Sequence, residues 1–135
     1  MKRYIIFLVL FFCIATVLLV GGSGGNSSLP DLLGVYVCSD YGFDIGQLGF
    51  SPDGTVDLSM DMACTGNYKK SVDKYVLSIE SGTNAVSDLV AKERNKAYKI
   101  TATPNSDGTL TVYIKAKGGY IYYGNESAIF EWTGF

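Results

Sequence analysis

The sequence holds no histidine. Every reaction that needs an imidazole base, and every metal site with an imidazole ligand, is excluded at the outset. The side chains left with chemistry to offer are cysteines, carboxylates and tyrosines. Cys38 and Cys64 are the two cysteines outside an N-terminal apolar run that itself contains Cys13. No Cys-x-x-Cys spacing is present, and two thiols without histidine make a poor zinc site. In an oxidising compartment the pair is expected to form a disulfide. Six aspartates (Asp31, Asp40, Asp44, Asp53, Asp57 and Asp61) lie between Ser23 and Tyr68 with no basic residue among them. On one extended strand Asp57 and Asp61 would stand about 13 Å apart, too far to share a metal ion. Asp40 and Asp44 flank a loop and offer the oxygen ligands calcium takes, but a solvated surface accounts for them more simply. A carboxylate pair could hydrolyse a glycoside without histidine, yet no such pairing is visible. No catalytic residue, metal or cofactor is expected.

Tyrosine is the remaining resource. Nine tyrosines follow the apolar run, and Trp132 is the only tryptophan of the chain. Tyr113, Tyr120, Tyr122, Tyr123 and Trp132 fall close together in the last strands. They are the candidate ligand-binding residues, because tyrosine and tryptophan offer apolar area with a polar tip. Ordinary strand propensity and cross-strand packing is the plainer explanation for the same residues.

These side chains need elements to hold them. Met1-Lys2-Arg3 is basic and Tyr4 to Val20 is free of charge. Residues 1–22 are therefore expected to be a signal peptide or an N-terminal membrane anchor. As a helix the uncharged run would cover roughly 25 Å of a ~30 Å hydrocarbon core. Phe11-Phe12 before Cys13 does not fit a lipidation site. Residues 23–31 continue a flexible linker that opens at Gly21, and residues 32–135 form one domain. Either fate of the leader places the domain outside the cytoplasm, secreted or tethered through residues 4–20. Without Lys2 and Arg3 nine basic residues face 13 acidic ones, a net charge of −4. That balance argues against nucleic acid and anionic membrane surfaces as partners.

From Gly34 onward the dominant hydropathy period is two. Val35–Cys38 reads as a strand. Phe43–Phe50 and Thr55–Ala63 read as a hairpin around Ser51-Pro52-Asp53-Gly54. Cys64 continues the core-facing parity of Val56. A second hairpin joins Gly66–Lys70 to Tyr75–Glu80. Further strands are expected over Ala97–Thr103, Leu110–Ala116, Tyr120–Tyr123 and Ala128–Thr133. Asn84–Lys96 breaks the alternation: Ala85, Val86, Leu89 and Val90 suit one face of a short helix capped by Asn84. The fold expected is all-β, a small antiparallel up-and-down barrel of about eight strands with a short helix at 84–96. A two-sheet β-sandwich is the alternative.

Leu32-Leu33-Gly34-Val35-Tyr36, Asp53-Gly54-Thr55, Gly66-Asn67-Tyr68 and Asp73-Lys74-Tyr75-Val76-Leu77 together resemble the phrase of small secreted lipocalin-like domains of bacteria. The resemblance covers residues 32–80 and implies an up-and-down barrel with a mouth at one end and no catalytic residues. The tail from Tyr120 to Gly134 is similar, more distantly, to periplasmic lysozyme-inhibitor barrels, but their Ser-Ala-Ser-Gly loop is absent. The expected function is an exported, non-enzymatic domain that binds a small ligand or a partner's segment at the cell surface. The alternatives are a packed-core interaction domain without a ligand, and an enzyme-inhibitor barrel. Membrane contact is expected only through the N-terminal segment. A core of Leu58, Met60, Leu110, Val112 and Ile114 would leave no room for a ligand; a tyrosine-lined interior would.

Overall fold

Alternating side chains make each strand two-faced, and eight such strands can hide their apolar faces by closing on themselves. The chain does this. A computed structural model describes residues 29–135; the expected leader, and residues 23–28 of the linker, lie outside them. The strands are β1 (Gly34–Cys38), β2 (Gln47–Phe50), β3 (Thr55–Ser59), β4 (Ala63–Lys70), β5 (Tyr75–Gly82), β6 (Tyr98–Pro104), β7 (Leu110–Ala116) and β8 (Ser127–Gly134). One helix, α1 (Ala85–Ala97), links β5 to β6. Every neighbouring pair is antiparallel, and β8 returns to β1 to close the barrel. This is the up-and-down barrel the alternation predicts, not the sandwich.

The turns 51–54, 71–74 and 105–109 mark one end, here the base. The loops at 39–46, 60–62 and 117–126, together with α1, mark the other. Asp53-Gly54-Thr55 and Asp107-Gly108-Thr109 build the same turn twice. In each, the aspartate accepts from the threonine N–H and hydroxyl, and the glycine between them has positive φ. Gly66 stands where β4 slips register against β5. A methyl group there would collide with the Ser78 carbonyl, so only glycine fits.

The interior is filled. Leu48, Leu58, Leu110, Val112, Ile114 and Phe130 are fully buried. At the helix end Phe43 and Ile45 fold inward, Phe43 edge-on to Phe130 at 5.8 Å. At the base Tyr36, Phe50, Tyr68 and Tyr75 form a chain of edge-to-face contacts at 5.7, 5.2 and 6.0 Å. Two hydroxyls find acceptors in the entering chain: Tyr68 donates to the Leu32 carbonyl at 3.1 Å and Tyr75 to Pro30 at 2.6 Å. Residues 29–31, assigned to the linker by composition, are thus held against the barrel, with Asp31 paired to Lys70 at 2.8 Å. Three tyrosines line part of the interior, yet they form a plug and not a ligand chamber.

Three local expectations change. Met60–Met62 turns the chain where a continuous strand was expected, so β3 ends at Ser59 and Cys64 faces the core from β4. Tyr120–Tyr123 is loop, not strand. The disulfide is not formed: Cys38 and Cys64 are both free. β2 and β3 separate their strands, which is about 14 Å along the wall against the 4.4–6.8 Å between Cα atoms that a disulfide needs. The Cys38 sulfur turns into its own loop, 3.4 Å from the Asp40 N–H nitrogen. Cys64 is buried beside Leu58, and burial pushes its thiol above the ordinary range.

Candidate functional site

The helix forms where the barrel wall opens. β5 and β6 pair only from Tyr75–Leu77 to Ile100–Ala102, which leaves Ser78–Gly82 without a strand on that side. Unpaired backbone groups of this kind need partners. α1 supplies them: Asn95 Oδ1 accepts from the Ile79 N–H at 2.9 Å and Asp88 Oδ1 from Gly82 at 3.3 Å. Asn84 caps the helix by accepting from the Ser87 N–H, and the Ser87 hydroxyl accepts from the Asn84 N–H. This is the cap expected from sequence.

The buried face is a surprise. Ser87, Ala91 and Ala97 meet the barrel. Small side chains let the helix sit close to β5 and bring Asn95 and Asp88 within reach of its edge. The larger apolar residues, grouped on one helix face by their spacing, point outward: Val86 is 73% exposed, Leu89 66% and Val90 37%.

That outward face borders an open groove of ≈ 410 Å³. Leu89, Val90 and Ala97 of α1 form one wall, Tyr98 lies at the start of β6, and Tyr120 and Asp44 come from the facing loops. The facing wall is well fixed. The Lys117 N–H donates to the Ala97 carbonyl and its Nζ to the Asn95 carbonyl, both at 2.8 Å. Tyr98 donates to the Ile121 carbonyl at 3.2 Å, and Tyr122 packs edge-on to Tyr98 at 5.3 Å. The Tyr122 hydroxyl donates to the Asn125 carbonyl at 3.0 Å. Burial, reinforced by the Asp44 carboxylate beside it, pushes the Tyr122 hydroxyl up to about 12. Asn125 in turn donates to Asp40 at 3.1 Å.

The charged groups of the groove already have partners. Arg94 pairs with Asp61 at 2.8 Å and Glu93 with Lys96 at 2.9 Å. Asp57 accepts from the Thr65 hydroxyl at 3.1 Å, so the two aspartates weighed as a pair serve different neighbours. Among the described residues no three cysteine or carboxylate side chains gather as metal ligands.

The five aromatic candidates divide. Tyr120 lines the groove and Tyr122 supports it through Tyr98. Tyr123 stands exposed on the same loop. Tyr113 points outward from β7, with Lys115 Nζ 5.9 Å from its ring centre. Trp132 lies at the base, its Nε1–H donating to the Leu33 carbonyl at 3.1 Å. Leu89, Val90 and Tyr98 were not among the candidate binding residues, and Asp44 was weighed only as a calcium ligand. The signal available was the apolar stripe of α1, which was read only as one face of a helix.

No protein-family model, curated protein or solved structure matches this chain. The barrel agrees with the fold that the lipocalin-like phrase implies, and function has to be read from the site alone.

Proposed function

We propose that the protein is an exported, non-enzymatic binding module whose binding surface lies outside the barrel, in the groove beside α1. The occupant is a small ligand with an apolar body, or a short apolar segment of a partner. The observation that carries this reading is the exposure of Leu89 and Val90 on the wall of a groove of ≈ 410 Å³. Such a volume falls in the range of small-ligand sites. Helix apolar residues are normally spent on the core, and here Ser87 and Ala91 take that place. The ion pairs that hold Arg94 to Asp61 and Glu93 to Lys96 support a non-enzymatic role, since paired charges are less free to take or give a proton.

Nile red, a neutral apolar aromatic dye, serves as probe. Its fluorescence should rise and saturate with the native protein, and Leu89→Asp should abolish the rise while far-ultraviolet circular dichroism stays unchanged. Equal dye binding by both proteins would place the apolar site elsewhere.

A further inference from the structure

The end of the barrel opposite the groove carries its own exposed apolar residues, and they come from separate elements. Leu33 precedes β1, Val72 tips the β4–β5 turn, and Trp132 and Phe135 follow the course of β8. Val72 is 84% exposed, Trp132 49% and Phe135 93%, with Phe135 edge-on to Trp132 at 5.5 Å. The register of the sheet brings them to one end: Lys70 pairs with Tyr75 there, Gly34 with Phe50, and Val35 with Gly134. The chain also enters the barrel here, because Pro30 and Leu32 accept from the tyrosine plug.

Sequence upstream of that entry is the uncharged run Tyr4–Val20, followed by the eight residues Gly21–Ser28. A glycine- and serine-rich segment of that length spans about 16 Å. If the run stays in a bilayer, the base is tethered about that far on average from the lipid surface, and the helix end faces away. Tryptophan and phenylalanine at such a position partition into the interface between headgroups and acyl chains. The charges around them are mixed, with Lys69, Lys70 and Lys74 near Asp31, Asp53, Asp73 and Asp107. Zwitterionic headgroups suit such a surface better than anionic ones.

We propose that the base of the barrel rests on the lipid interface through Leu33, Val72, Trp132 and Phe135, orienting the groove away from the membrane. This rests on the anchored form of the exported reading. Trp132 is the only tryptophan, so it reports directly. The full chain, reconstituted in phosphatidylcholine vesicles, is tested with lipids brominated near the headgroup or deep in the acyl chains. The expected result is that the protein floats with the vesicles and Trp132 is quenched more by the shallow bromines. Val72→Asp with Phe135→Asp should lose that quenching while still floating. Flotation with unquenched Trp132 overturns the resting contact and leaves the anchor standing. Quenching unchanged in the double variant overturns the role of the apolar tips. A chain that does not float removes both the contact and the anchor.

Discussion

A buried tyrosine hydroxyl has to find an acceptor, and here it finds backbone. Tyr75 and Tyr68 donate to Pro30 and Leu32, which turns an aromatic cluster into a latch on the entering chain. The same burial raises the ionisation of Tyr36, Tyr68, Tyr75 and Tyr122 above the ordinary tyrosine value of 10.0. Below pH 10 the hydroxyls are protonated in both states and their contribution to stability is complete. Above it the unfolded chain loses its protons first, so stability falls as pH rises from 10 towards 12. The slope is negative across that window. Urea midpoints at pH 10, 10.5 and 11 should fall in that order, and less steeply in Tyr75→Phe; a midpoint independent of pH would contradict the burial. The abundance of tyrosine was legible in the sequence. Its division into plug, groove and outer wall was not, because strand propensity is blind to which strands become neighbours. The cysteines failed for the same reason: an even count suggested a bond, and the positions of β1 and β4 in the barrel forbid it.

At the scale of elements, period-two alternation located all eight strands to within a few residues, and Asn84 located the helix start. What alternation did not locate was the gap between β5 and β6. That gap makes α1 a substitute strand edge, and it reverses the use of the helix faces. Close approach needs Ser87 and Ala91 at the barrel, so the valines and leucine are left outside. The mistaken strand at Tyr120–Tyr123 has a comparable cause. Its aromatic residues suit a strand, but Tyr98 donates to the Ile121 carbonyl and Lys117 ties the start of the loop to α1 instead. Removing the cap tests the helix's part in the wall. Asn84→Ala should cost about 1 kcal/mol. It should also speed hydrogen exchange at the Ile79 and Gly82 amides, which depend on Asn95 and Asp88. A stability loss without faster exchange at those two amides would mean that the helix does not guard the β5 edge.

The whole molecule has two ends and a filled middle. Small eight-stranded barrels leave an interior that side chains alone can occupy, and Leu58, Leu110, Val112 and Ile114 occupy it here. The sequence posed that question without answering it, since it offered both aliphatic and tyrosine residues for the interior. The open groove lies at the helix end, and the base faces the side from which the chain arrives. Native mass spectrometry of the protein recovered from its own host, beside its Leu89→Asp variant, tests this most directly. The native protein should carry an added mass that leaves on denaturation and is missing from the variant. An added mass kept by the variant, or none on either protein, would contradict a binding surface in the groove.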